Sequence, residues 1–175
     1  VVVGQAGCQF FPLAVMNEWE EWYYAVFMLE ALIALCCLIF SLRMRKSPAG
    51  RRMMLTLTLF MLGQVFAESL RAESLKWGFV RVHQLFAVLT VAAVLAGFIR
   101  LALRQGERLL PLLARWALPY LAGVALLIGL EFALDKWEEA PNWALYLAMA
   151  GTLTGMGALV FRAEKKRART ENGDE

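Results

Sequence analysis

The stretch Val91-Ala92-Ala93-Val94-Leu95-Ala96-Gly97-Phe98-Ile99 decides the fold. It is apolar at every position, so neither a helix face nor one side of a strand is left for water. A membrane-spanning strand would alternate polar and apolar residues over about ten positions. An unbroken apolar run reads instead as a helix sunk in lipid. Extended upstream, it becomes the segment Phe79–Ile99, which matches the roughly 20 residues a helix needs to cross a bilayer.

Four more segments of this kind lie along the chain: Trp22–Leu42, Met53–Leu70, Leu109–Leu134 and Trp143–Phe161. The fourth of the five, Leu109–Leu134, contains Pro111 and Pro119, which predict a tilted or kinked entry. Composition agrees. The chain of 175 residues is 60% apolar and only 19% charged, with a mean hydropathy of +0.55. Soluble domains stay near 45–50% apolar and about 25% charged. Disorder, a disulfide scaffold and a nucleic-acid-binding tail are thereby excluded. The net charge of +3 is too small to call for a polyanionic partner.

Charge is placed unevenly. Thirteen of the 18 basic residues sit in three regions: Arg43, Arg45, Lys46, Arg51 and Arg52; Arg100, Arg104 and Arg108; and Arg162, Lys165, Lys166, Arg167 and Arg169. The opposite turns carry Glu18, Glu20 and Glu21, then Asp135, Glu138 and Glu139. Five spans with alternating sides satisfy the positive-inside rule throughout. The expected fold is therefore an all-α polytopic transmembrane bundle of five spans, N-terminus outside and C-terminus cytoplasmic. Trp19, Trp22, Tyr23, Tyr24, Trp77, Trp137 and Trp143 then form an aromatic belt at the outer interface. The chain divides into an outer-face segment 1–21, a three-helix membrane core 22–104, two further helices 105–162 and a basic then acidic tail 163–175. Its start, Val1-Val2-Val3-Gly4, has no initiator Met and no basic region, so a longer or processed chain is expected.

Three cysteines and one histidine form no metal or redox spacing, and neither metal nor cofactor is expected. Gln5-Ala6-Gly7-Cys8 is similar to a lipoprotein cleavage box, but the apolar stretch before it is far short of the roughly 7–15 residues of a signal peptide. Gly151-Thr152-Leu153-Thr154-Gly155 is a small-xxx-small pattern that lets a partner helix approach closely. The basic tail is expected to meet anionic lipid headgroups, at about 1 kcal/mol per basic residue.

Ionisable groups inside a membrane helix cost at least about 2.5–3.5 kcal/mol, which makes them functional candidates. Gln64, Glu68 and Arg71 fall at i, i+4 and i+7 and share one helix face. Arg81, His83 and Gln84 open the third segment, and Glu30 lies in the first. The loop Ala72–Gly78 is short, so the second and third helices are antiparallel neighbours and these residues can meet. In one reading Arg71 pairs with Glu68 or Glu30 and the group only tethers helices. In the other it lines an outer-leaflet pocket where Arg71, Gln64, Glu30, Arg81 and Gln84 bind an anionic headgroup. A guanidinium offers phosphate a bidentate fork. Glu68 and His83 would then serve as acid or base. Arg115 is expected to snorkel to the cytoplasmic interface, and Glu131 to be interfacial. No GxSxG elbow, phosphate loop or HExxH pattern is present. A transporter is disfavoured by the lack of an inverted repeat or interrupted helix pair.

Gly63-Gln64-Val65-Phe66-Ala67-Glu68-Ser69-Leu70-Arg71, a short loop, and Val82-His83-Gln84-Leu85-Phe86 resemble the C-terminal part of prolipoprotein diacylglyceryl transferase. Leu29-Glu30-Ala31-Leu32 followed by the basic Arg43–Arg52 loop resembles the preceding helix of that family. The resemblance covers roughly residues 22–100. It implies a bacterial plasma-membrane protein in which Arg71 handles a phospholipid headgroup at the outer face. Family members move diacylglycerol from phosphatidylglycerol to a lipobox cysteine thiol. In this chain Gln64 stands where the family has Arg, Val82 precedes His83 and Gln84 without the family's Gly, and Gln5 replaces the Arg of a Gly-Arg-x-Gly-Asn signature. The two C-terminal helices have no counterpart in it. A non-catalytic scaffold or partner subunit is the alternative.

Overall fold

The computed structural model describes residues 11, 14–16, 18, 20, 22–71, 76–77, 80–136 and 142–172. These are mostly helical. The order is β1 (Ala14–Met16), β2 (Trp22–Tyr24), α1 (Val26–Arg43), α2 (Ala49–Ser69), β3 (Lys76–Trp77), β4 (Val80–Arg81) and α3 (Val82–Arg104). There follow α4 (Leu109–Leu112), a π-helical turn (Leu113–Ala117), α5 (Leu118–Lys136) and α6 (Asn142–Asn172). The two short antiparallel ribbons, β1 with β2 and β3 with β4, correct the expectation of helices alone. Trp22–Tyr24 reads as the start of the first span but pairs with Ala14–Met16, so α1 begins only at Val26. Aromatic residues fit a pleated, half-buried surface well, and a local partner strand wins over extending the helix.

Four helical segments are long and apolar enough to cross a membrane: Val26–Arg43, Val82–Arg104, Leu109–Leu134 and Trp143–Lys166. They make this a multi-pass integral membrane protein. α2, at 21 residues, is long enough but is not among the four. It carries Arg51 and Arg52 near its start and Gln64 and Glu68 near its end, so its length passes and its apolarity does not. Trp19 and Trp137 of the aromatic belt, Glu21, Glu138, Glu139 and the Gly4–Cys8 stretch lie outside the described residues, as do the side chains of Trp77 and Asp135.

The chain forms two compact units that divide between Ala87 and Val88, within α3. In the first unit, α1 and α2 make a helical hairpin through a turn in which Ser47 N–H donates to the Met44 carbonyl at 2.9 Å. Gly63 is the closest approach: a Cβ there would lie 2.5 Å from Ile33 Cγ2. Val26 and Ala67 are buried at the hairpin's open end, with Tyr23, Leu29, Ile33 and Leu70 packed against them. Away from α2, α1 leaves Phe27, Leu32, Leu35, Leu38, Ile39 and Leu42 exposed. A contiguous apolar surface of that kind is stable against lipid, not water.

In the second unit, α6 buries Leu145, Met149, Leu153, Met156, Val160 and Ala163. Their spacing of three and four draws one stripe along a 3.6-residue helix. α5 meets that stripe at Gly123, where a Cβ would lie 2.8 Å from Met156 Cγ. Tyr120 Oη donates to the Val88 carbonyl at 2.6 Å and ties α5 to α3. The π turn falls just before Pro119. That ring lacks an N–H and clashes with the carbonyl four residues earlier, at Arg115. A π turn widens the helix at that carbonyl, which is how the segment carries the expected proline irregularity. Gly151 and Gly155 are exposed, with nothing within 4 Å of an added Cβ. The close helix contacts among the described residues are at Gly63 and Gly123, not at this pair.

Candidate functional site

The polar residues of the first unit collect where α2 ends and where α1 and α3 begin. α2 stops because its last turn tightens. Leu70 N–H donates to Ala67 O at 3.2 Å, and Arg71 N–H to Glu68 O at 3.1 Å. The terminal carbonyls of a helix have no partner within it. Arg81 supplies one from outside: its Nη1 donates to Glu68 O at 2.6 Å and to Arg71 O at 2.7 Å. A cation at a helix C-terminus also complements the macrodipole. The ribbon pairing Lys76 with Arg81 and Trp77 with Val80 carries Arg81 back to this point. Gln84, one turn into α3, adds a bond from Nε2 to Val65 O at 3.3 Å. Arg81 and Gln84, expected to bind a ligand, are both buried, and they join β4 and α3 to the backbone at the end of α2.

The side chains form a second layer. Arg71 Nη2 donates to Glu30 Oε1 at 2.5 Å. Arg71 Nη1 lies 3.6 Å from Glu68 Oε2. His83 Nδ1 lies 3.8 Å from the same Glu68 oxygen. A chain of contacts therefore runs Glu30, Arg71, Glu68, His83 across α1, α2 and the start of α3. Glu68 is 4% exposed, so the innermost charge of this chain of contacts lies between Arg71 and His83. His83, at 64%, is the most open of the four. At 3.8 Å the His83–Glu68 contact is longer than a hydrogen bond. Two carboxylates, Glu30 and Glu68, meet one arginine, Arg71. Gln64 lies one turn before Glu68, half-buried, and among the described residues it makes no polar contact with this network.

The structure thus brings together six of the seven residues singled out from sequence. In the second unit, Glu131 lies half-buried on α5, and the Arg115 guanidinium stands 5.1 Å from the centroid of the Trp116 ring. One pair was not anticipated. Lys166 Nζ lies 2.6 Å from Glu107 Oε1 and 2.8 Å from Oε2. Lys166 reads as one of the basic tail, and the two are 59 positions apart. The available signal was that Glu107 is a single acid between Arg104 and Arg108.

No family model matches the chain, and comparisons with curated proteins and with solved structures return no significant match.

Proposed function

We propose that this membrane protein handles an anionic phospholipid, with phosphatidylglycerol as the first candidate, at the face that the charge pattern assigns to the outside of a bacterial plasma membrane. The observation that carries this reading is the convergence of Glu30, Glu68, Arg71 and His83 at one point. Arg71 is partly exposed while its guanidinium is fixed by a carboxylate on each side. Each terminal nitrogen keeps a second N–H beyond its carboxylate contact, and a phosphodiester oxygen can accept from it. His83, beside Glu68 at the open end of the cluster, is the candidate general base there. Should the chain share the chemistry of the family it resembles, His83 takes the proton of the acceptor thiol. The thiolate then displaces the phosphate at the diacylglyceryl carbon, and glycerol phosphate leaves with the electron pair of the broken C–O bond.

A second reading rests on the same distances. Both terminal nitrogens of Arg71 face carboxylates, which is also what a purely structural tether of three helices would use. The open surface at Gly151 and Gly155 favours that reading's partner helix.

Nanodiscs separate the two. The wild type, Arg71→Ala and Arg71→Lys are titrated with phosphatidylglycerol and phosphatidylcholine while thermal stability is followed. The lipid reading expects Arg71→Ala to lose about tenfold in phosphatidylglycerol affinity, with partial recovery in Arg71→Lys. Unchanged affinity with a lowered melting temperature assigns the cluster to scaffolding.

A further inference from the structure

The second unit carries a site of a different composition at the other end of α3. There α3 closes on a Schellman motif: Gly106 N–H donates to Leu103 O at 3.0 Å, and Glu107 N–H to Ala102 O at 3.3 Å. Gly106 takes a φ of 91°, which a side chain would strain. The turn presents Glu107 to Lys166 of α6. Behind that ion pair is a crevice lined by Phe98, Ala102, Leu112, Trp116 and Ala163. Counted with its open mouth it holds about 270 Å³. Its enclosed part has room for about one water molecule.

The residues next to the lining are basic and exposed: Arg104, Arg108, Arg115, Arg162 and Lys165. Arg108 adjoins Glu107, Arg162 adjoins Ala163, and Arg115 stands against the Trp116 ring. Arg115 lies seven positions beyond Arg108, about 10 Å further along a helix, and is exposed with its guanidinium over the Trp116 ring. Glu107 at the mouth is already paired with Lys166, so the exposed arginines beside the slot carry an excess of positive charge, which fits a ligand whose anionic end stays at the rim.

We propose that this end of the second unit binds an anionic phospholipid from the leaflet on the basic side, its phosphate among Arg104, Arg108 and Arg115 and the start of an acyl chain against Trp116. Basic recesses between membrane helices recognise acidic headgroups in this way. The site is independent of the Glu30–Arg71 cluster and requires nothing of it.

The test uses the full chain in nanodiscs holding brominated phosphatidylglycerol or brominated phosphatidylcholine. The Trp116 signal is the difference between the wild type and Trp116→Phe, since the chain has six tryptophans. Quenching at least about twofold stronger with phosphatidylglycerol is expected, falling as salt is raised. The triple variant Arg104→Gln, Arg108→Gln, Arg115→Gln should lose that preference, whereas Arg71→Ala should keep it. Phosphatidylglycerol retained through native mass spectrometry by Arg71→Ala, with and without the three Gln substitutions, provides the comparison without the Trp116 substitution and with the other cluster disabled. Equal quenching by the two lipids overturns the proposal, as does a preference that survives the triple variant. Competition by soluble glycerol phosphate would overturn the assignment to lipid.

Discussion

Glu68 touches both Arg71 and His83 and is the most buried charge of its cluster. A carboxylate placed there without Arg71 would be an uncompensated charge in a low-dielectric setting. Removing it leaves Arg71 with Glu30 alone and releases the imidazole. Breaking a fully buried pair from one side costs roughly 3–5 kcal/mol. Arg71 and Glu30 are only partly buried, so Glu68→Ala should lower stability by about 2–3 kcal/mol. The cost is read from reversible unfolding in detergent. A double-mutant cycle on Glu30→Gln and Arg71→Gln should return a coupling of about 1–2 kcal/mol. A coupling near zero would mean that the short Glu30–Arg71 contact stabilises nothing.

At the scale of elements, glycine sets where helices touch. Ile33 is β-branched and stiff at χ1, so it cannot yield easily to a methyl group on Gly63. Gly63→Ala should therefore destabilise the α1–α2 hairpin by about 1–3 kcal/mol, and adding Ile33→Ala should recover most of that loss. Gly97→Ala is the control. Nothing lies within 4 Å of its added Cβ, and alanine is the better helix former by about 1 kcal/mol. Equal losses at the two glycines would show that close packing at Ile33 does not hold the hairpin.

The element most dependent on its neighbours is α2. Its buried stripe of Leu55, Thr58, Leu62, Val65 and Ser69 is interleaved with groups that lipid would not accept on an isolated helix. Glu68, Arg71 and the helix's last carbonyls are instead matched by Glu30, His83, Arg81 and Gln84. Pairing of this kind is what permits ionisable residues at membrane depth.

For the whole molecule, the sidedness of the loops follows from whether α2 crosses. With α2 as a fifth span, the turns at Ser47 and Gln105 lie on the same side of the membrane. Without it they lie on opposite sides, and the arginines flanking Gln105 violate the positive-inside rule. Single cysteines at these two positions, in a chain with Cys8, Cys36 and Cys37 replaced by alanine, should react with an impermeant maleimide from the same side. Labelling from opposite sides would reduce the count to four.

Much of this architecture is legible in the sequence because lipid imposes simple requirements. A run such as Val91–Ile99 has no polar face, and the backbone of such a run must satisfy its own hydrogen bonds, which a helix does. The candidate cluster was legible for a related reason. A charge in an apolar run is costly enough to stand out, and spacings of four and three residues put Glu68 and Arg71 on one face. The ribbons were not legible, because Trp22–Tyr24 is as apolar as the helix it precedes and only its pairing with Ala14–Met16 decides between them.

The sequence by itself determined that the chain is helical, that it is embedded in a membrane and which polar residues are exceptional. Each of these follows from local composition against a known solvent. Tertiary structure alone decided what those residues touch. Arg81 donates to the last carbonyls of α2, Glu107 finds Lys166, and Gly63 rather than Gly151 marks a close contact among the described residues. Partners 41 or 59 positions apart leave no periodic trace in a sequence. They are fixed by which helix ends meet in space, where an unpaired charge or carbonyl would cost more than the chain can spare.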